Sequence, residues 1–245
     1  FEIADQRSYQ AKRSGRGRVV GEEQPMLATP HPIDPARMIE RDQAVETLQR
    51  FLSALPELRR GVMVATGGPG SGRTRFLTEA SRAARMQGYA VLELNGRPAL
   101  HNRMYGTLVE AHSSWQGEPL PSAHEHHFVA ALQRMFIREG HVGLLVILDN
   151  LPDVDKATLD FVRNLFISAA FPQLALLYTV NNPAAHRGLP QEAPLRASVA
   201  LEPVSLSGVR IWLRQSLHWE FPNAFVEWFH KHTRGLPGLV RTGMD

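Results

Sequence analysis

Residues 61–80 constrain this chain more than any other stretch. They read Gly61-Val-Met-Val-Ala-Thr66, then Gly67-Gly68-Pro69-Gly70-Ser71-Gly72-Arg73-Thr74, then Arg75-Phe-Leu-Thr-Glu-Ala80. An apolar run, a glycine-rich turn and a second periodic run predict a buried strand, a tight loop and a helix. Gly67, Gly70 and Gly72 admit backbone conformations that a side chain opposes. The amides exposed by such a curl form a nest for an anion, and the following helix aims its positive end at the same point. The spacing matches the phosphate-binding pattern G-x-x-x-x-G-K-[ST], with Arg73 where the pattern has Lys. Thr74 is then placed to ligate Mg²⁺, and Arg73 to supply charge at the β/γ-phosphates. The plain alternative is a strand–helix turn that binds nothing.

The rest of the chain supports a parallel α/β reading. Strands are expected at 61–66, 89–94, 143–149, 174–180 and 198–204. Between them lie helical patterns at 73–87, 100–113, around Phe128–Phe136 and at 156–169, with an earlier helix at 38–55 broken by Pro56. The near-continuous apolar character of Gly143–Asp149 suits a strand covered on both faces. The expected fold is a five-stranded parallel sheet with the loop strand central and helices on its flanks. After residue 204 the strand signals stop. Val209, Trp212, Leu213 and Leu217, then Phe225, Trp228, Phe229 and His232 behind an Asn223 N-cap, repeat at helical spacing. The expected organisation is an arm or linker at 1–36, an α/β domain at 37–204 and a helical subdomain at 205–245.

Composition narrows the classes. The net charge of +3 does not imply a nucleic-acid-type field, and nucleic acid is not an expected partner of this segment alone. With no cysteine, disulfides and thiolate metal sites are excluded, which fits a reducing cytoplasm. The run Leu144–Leu148 is far too short to span a bilayer, so no membrane partner is expected. The chain opens on Phe1, and is expected to be a piece of something longer. Lys12, Arg13, Arg16 and Arg18 make a basic cluster in the arm, read either as a contact for nucleic acid or an acidic partner, or as a solvated tail.

Asp149 supplies the loop with a partner. An apolar strand ending in Asp is what the Walker B element requires, because the carboxylate orients the Mg²⁺ shell. Asn150 follows, where hydrolysing enzymes place an acidic residue. An amide can orient a water but cannot take its proton at neutral pH.

These residues carry a resemblance. The chain resembles the STAND branch of the AAA+ superfamily, the signal-transduction ATPases of large bacterial regulators. Met38-Ile-Glu-Arg-Asp42 is similar to the family's entry motif, an apolar residue followed by Gly-Arg-Glu, with Glu40 in place of Gly. Residues Gly67–Phe76 resemble the loop G-x-x-G-x-G-K-T-R-L, which covers Arg75. Leu148-Asp-Asn-Leu-Pro-Asp-Val-Asp155 resembles D-D-L-x-x-x-D with its second Asp replaced, and Thr233-Arg-Gly-Leu-Pro237 resembles the G-x-P motif of a helical lid. The resemblance implies ATP or ADP with Mg²⁺ between sheet domain and lid. It places Arg41 beside the adenine, phosphates on residues 67–75, Mg²⁺ on Thr74 and Asp149, Asn150 and Asn181 in the catalytic and γ-phosphate-sensing positions, and Pro237 on the lid. Other domains of the same longer chain, and nucleotide-dependent self-association, are the implied partners.

Three readings stay open: an ATP-binding switch with weak or absent hydrolysis, a degenerate scaffold without nucleotide, and a DNA-associated AAA+ loader. The substitutions at Glu40, Arg73 and Asn150 motivate the second, and the basic arm the third. His124, His126 and His127 lack the spacing of a zinc motif. Trp212, Trp219 and Trp228 read as lid core, Arg234 as a phosphate contact or surface charge, and Arg187 and Arg196 as distant candidates for a neighbouring subunit's nucleotide.

Overall fold

The computed structural model describes residues 38–116, 125–182 and 188–244. The arm expected at 1–36 lies outside them. Five strands form one sheet: β1 (Arg60–Thr66), β2 (Tyr89–Asn95), β3 (Gly143–Asp149), β4 (Leu174–Val180) and β5 (Leu195–Ala200). Their order is β2-β3-β4-β1-β5, and every pairing is parallel. The fold class is the expected one. The loop strand is internal, but β4 is central, because the chain crosses back to place β4 between β1 and β3.

Alternate side chains of each strand feed separate layers. On one face Val62, Val146 and Leu176 pack under helices α3 (Gly106–Gln116), α4 (Glu125–Glu139) and α5 (Lys156–Ile167). On the other, Met63, Ile147 and Leu177 pack under α1 (Asp42–Leu58) and α2 (Arg73–Met86). Both faces are covered, so β3 and β4 are buried at every residue.

Several helix boundaries differ from expectation, α1 starting at Asp42 rather than 38 among them. Pro56 does not end α1; it sits in the last turn, where Arg59 in the left-handed region closes the helix by donating its N–H to Leu55 O. The stretch from Leu100 is a chain of turns, Leu100 N to Arg97 O, Arg103 N to Leu100 O and Gly106 N to Arg103 O, and α3 starts only at Gly106.

Beyond β5, α6 (Leu206–Leu217), α7 (Asn223–Thr233) and α8 (Pro237–Thr242) enclose a small core of Val204, Val209, Leu213, Val226, Phe229 and Val240. We call this unit the lid. The N-cap of α7 is Pro222 rather than Asn223, whose side chain instead accepts a hydrogen bond from Arg210. Among the described residues no helix is long and apolar enough to cross a membrane.

Candidate nucleotide site

The glycine loop sits between the C-terminal end of β1 and the first turn of α2. Gly67 N donates to Val180 O at 3.2 Å, which ties the loop to the end of β4. A Cβ at Gly67 would come within 2.4 Å of Ser71 Oγ, so a larger residue there displaces the buried Ser71 side chain. Gly72 caps α2 at φ +94°, a conformation that favours glycine, and no side chain caps the helix. The first amides of α2 are thereby left to an anion. Ser71 is buried, and its hydroxyl has no hydrogen-bond partner. Gly68, Pro69 and Gly70 form the exposed crest, and Arg75 is exposed on the first turn of α2.

Asp149 ends β3 beside the loop. Its Oδ2 accepts from Thr74 Oγ1 at 2.6 Å, and its Oδ1 from Thr179 Oγ1 at 2.8 Å and from Asn150 N at 2.9 Å. The carboxylate is held on three sides, and its contact with Thr74 pairs two hard oxygen donors of the type Mg²⁺ takes. The residues therefore fit a Mg²⁺ shared with phosphate oxygens. Thr179 had no assigned role in the sequence reading; its signal is a threonine one residue from the end of a strand otherwise made of aliphatic residues and Tyr178.

Arg73 and Asn181 also meet, the guanidinium donating to Asn181 Oδ1. Asn150 is exposed at φ +50°, and its amide donates to Asn95 Oδ1 at 3.0 Å.

Arg41 is a clamp. It is buried, and donates to Ser71 O at 3.2 Å, to Glu202 O at 2.5 Å and to Glu40 O at 3.0 Å. Burial lowers its pKa, against the opposing pull of the Glu40 and Glu202 charges. Pro237 opens α8 directly over the loop, 3.8 Å from where a Cβ of Gly72 would lie. The next residue, Gly238, donates its N–H to Gly70 O at 2.9 Å. That contact between lid and loop was not legible in the sequence.

Other residues lie elsewhere. A cavity of about 700 Å³ runs beside β2, lined by Arg85, Glu93, Arg97, Glu110 and His141, and shares no wall with the loop. The rings of His126 and His127 pack on each other, and no group of His, Asp and Glu able to hold a metal occurs among the described residues. His124 and Arg187 lie outside those residues. Arg196 pairs with the exposed Glu192 at 3.6 Å, and Arg234 closes α7 at φ +51°. Trp212 packs on the lid core, whereas Trp219 and Trp228 are 64% and 54% exposed, contrary to their helical spacing. His232 Nδ1 lies 2.7 Å from Trp228 O, within its own helix.

No family model matches the chain, and no curated protein matches its sequence. Solved structures do match its fold. It is similar to the ORC2 protein of Aeropyrum pernix in ADPNP and ADP complexes, at 18% identity over 84% of this chain and 61% of that one, with a TM-score of 0.59. It is similar to a Walker-type ATPase of Pyrococcus abyssi, at 15% identity over 83% of this chain and 66% of that one, TM-score 0.58. Drosophila ORC bound to DNA matches at 15% identity over 96% of this chain and 66% of that one, TM-score 0.58. The chain thus spans about three fifths to two thirds of the length of these structures. The likeness shows the fold alone, a five-stranded parallel α/β sheet flanked by helices.

Proposed function

We propose that this chain is an adenine-nucleotide-binding switch module of the STAND type, part of a longer cytoplasmic signalling or transcriptional regulator, with slow or absent hydrolysis. The observation that carries the reading is the meeting of Thr74 with Asp149 at the foot of an uncapped, glycine-lined helix end. Residues 67–75 bind phosphates, chiefly by backbone N–H. Thr74 and Asp149 hold Mg²⁺, which screens phosphate charge. Arg73 adds a planar cation suited to bidentate phosphate contact. Asn181 reads the γ-phosphate from the end of β4, Arg41 fixes the adenine side, and Pro237 sets the lid. Nucleotide state then biases lid angle, and with it assembly with other domains or other copies.

The test is calorimetry of the purified chain with ADP and ATP, with and without Mg²⁺, alongside mass identification of any nucleotide retained through purification. Retained adenine nucleotide, or Mg²⁺-dependent binding, is the expected result. No binding of either nucleotide would leave the scaffold reading.

One comparison favours a second reading. A DNA-bound ORC structure covers 96% of this chain. A DNA-associated loader predicts nucleotide-dependent, salt-sensitive binding of duplex DNA by anisotropy.

A further inference from the structure

Glu40 occupies a backbone position suited to glycine. Its φ is +52°, in the left-handed region where a side chain is strained. A residue stays in such a conformation when its surroundings over-determine it. Here the surroundings are the lid. Glu40 Oε2 accepts from Ser205 N at 2.7 Å, and Oε1 accepts from the Ser205 hydroxyl. Ser205 is the N-cap of α6, and its Oγ in turn accepts from Gly208 N at 3.1 Å. The carboxylate lies so close over Gly208 that a Cβ there would sit 2.5 Å from Glu40 Cδ. Glu40 thus brings negative charge to the positive end of a 12-residue helix, through a connected hydrogen-bond chain.

Its neighbours make the same connection. Ile39 packs on the lid core, and Arg41 ties Ser71 of the loop to Glu202, three residues before α6's cap. Residues 39–41 therefore join lid to phosphate loop through side chains of one short segment.

We propose that Glu40 is the latch of the lid: its carboxylate holds the start of α6 to the 39–41 segment, which Arg41 ties to the loop, and nucleotide exchange waits for the Glu40–Ser205 pair to break. The gating half of this rests on the nucleotide-binding reading; the latch itself does not.

Glu40→Gly separates a latch from a merely structural residue, because it relieves the strained φ while removing the carboxylate. The whole chain is compared with Glu40→Gly and Glu40→Gln by amide hydrogen exchange without nucleotide, thermal unfolding, and stopped-flow release of a fluorescent ADP analogue. In Glu40→Gly, residues 205–209 should exchange roughly three- to thirtyfold faster, as fits loss of a charge-assisted but solvent-exposed pair. The unfolding midpoint should hold or rise. Analogue release should accelerate by a similar factor, with association changed less. Gln keeps one acceptor, and should fall between. Unchanged exchange at 205–209, or faster exchange only in step with a lowered midpoint, overturns the latch. Unchanged release despite faster exchange overturns the gating. A wild-type chain that does not take up the analogue overturns the gating with the nucleotide reading, and hydrogen exchange still decides the latch.

Discussion

Thr74 Oγ1 donates to Asp149 Oδ2 at 2.6 Å, although the two residues are 75 positions apart in sequence. The sheet makes this possible: β4 pairs with both β1 and β3, and brings the ends of the loop strand and the Asp149 strand to one rim.

Asp149→Asn should therefore erase most of the Mg²⁺ dependence of nucleotide binding. It replaces a charged acceptor by an amide that presents a donor to Thr74 or Thr179. Calorimetry with ADP should show the gain from Mg²⁺ reduced about tenfold or more, consistent with loss of a charged ligand. A Mg²⁺ effect of full size in the variant would falsify the assignment.

Turnover should be slow in the natural chain and respond to two restorations. Arg73 is drawn to Asn181, and its planar guanidinium is not a point charge at the β/γ bridge. Asn150 donates to Asn95 and has no carboxylate for a water's proton. The double variant Arg73→Lys with Asn150→Asp should release phosphate faster, by up to about 10²-fold, the lower end of what a general base contributes. Rapid release by the natural chain, unaltered by both changes, contradicts this.

Asp155 is a structural residue inside the motif that carries Asp149. It is 2% exposed, caps α5 by accepting from Thr158 N at 2.9 Å, and accepts from Thr158 Oγ1 at 2.8 Å and from Thr107 N at 2.9 Å. It thus joins the starts of α3 and α5. Asp155→Ala should lower unfolding stability in urea by about 2–4 kcal/mol, as one lost cap and orphaned buried donors imply. ADP affinity measured well below the transition should be little changed.

Fully buried elements were the legible ones. Strands β3 and β4 match their expected limits because continuous apolar runs end sharply at polar residues. β5 is an edge strand with mostly exposed or half-buried residues, so it carries no such run, and it lies at Leu195–Ala200 rather than 198–204. The approach of Thr74 to Asp149 was the legible contact, because both positions were picked by residue type at the end of an apolar strand or a glycine loop. Thr179, Glu40–Ser205 and Gly70–Gly238 were not, since each contact depends on crossings that bring distant segments together. The exposed Trp228 shows the limit of periodicity: it lies along the outer side of α7 in tilted ring contact with Phe225 and His232 instead of entering the core.

Tyr178 gives the fold an alkaline limit. It is fully buried in β4, and burial pushes its pKa up to about 12 from 10. The folded state therefore keeps a proton that the unfolded chain has begun to lose. Stability is unaffected below pH 10 and falls as pH rises toward 12, at about 1.4 kcal/mol per pH unit for one such group. Tyr178→Phe should flatten that fall in urea titrations between pH 10 and 12. An equal slope in both proteins would place the titration elsewhere.

The position of β1 between β4 and β5 has a consequence for synthesis. The loop strand leaves the ribosome before both of its hydrogen-bonding neighbours, which follow more than a hundred residues later, at Leu174–Val180 and Leu195–Ala200. Until then its apolar residues have no ladder on either side. Two of the four strand pairings in the sheet are of this long-range kind, the slow kind to close. The phosphate loop can thus reach its final setting only after the chain has been made as far as β5. During that interval the exposed strand is open to chaperones and to aggregation.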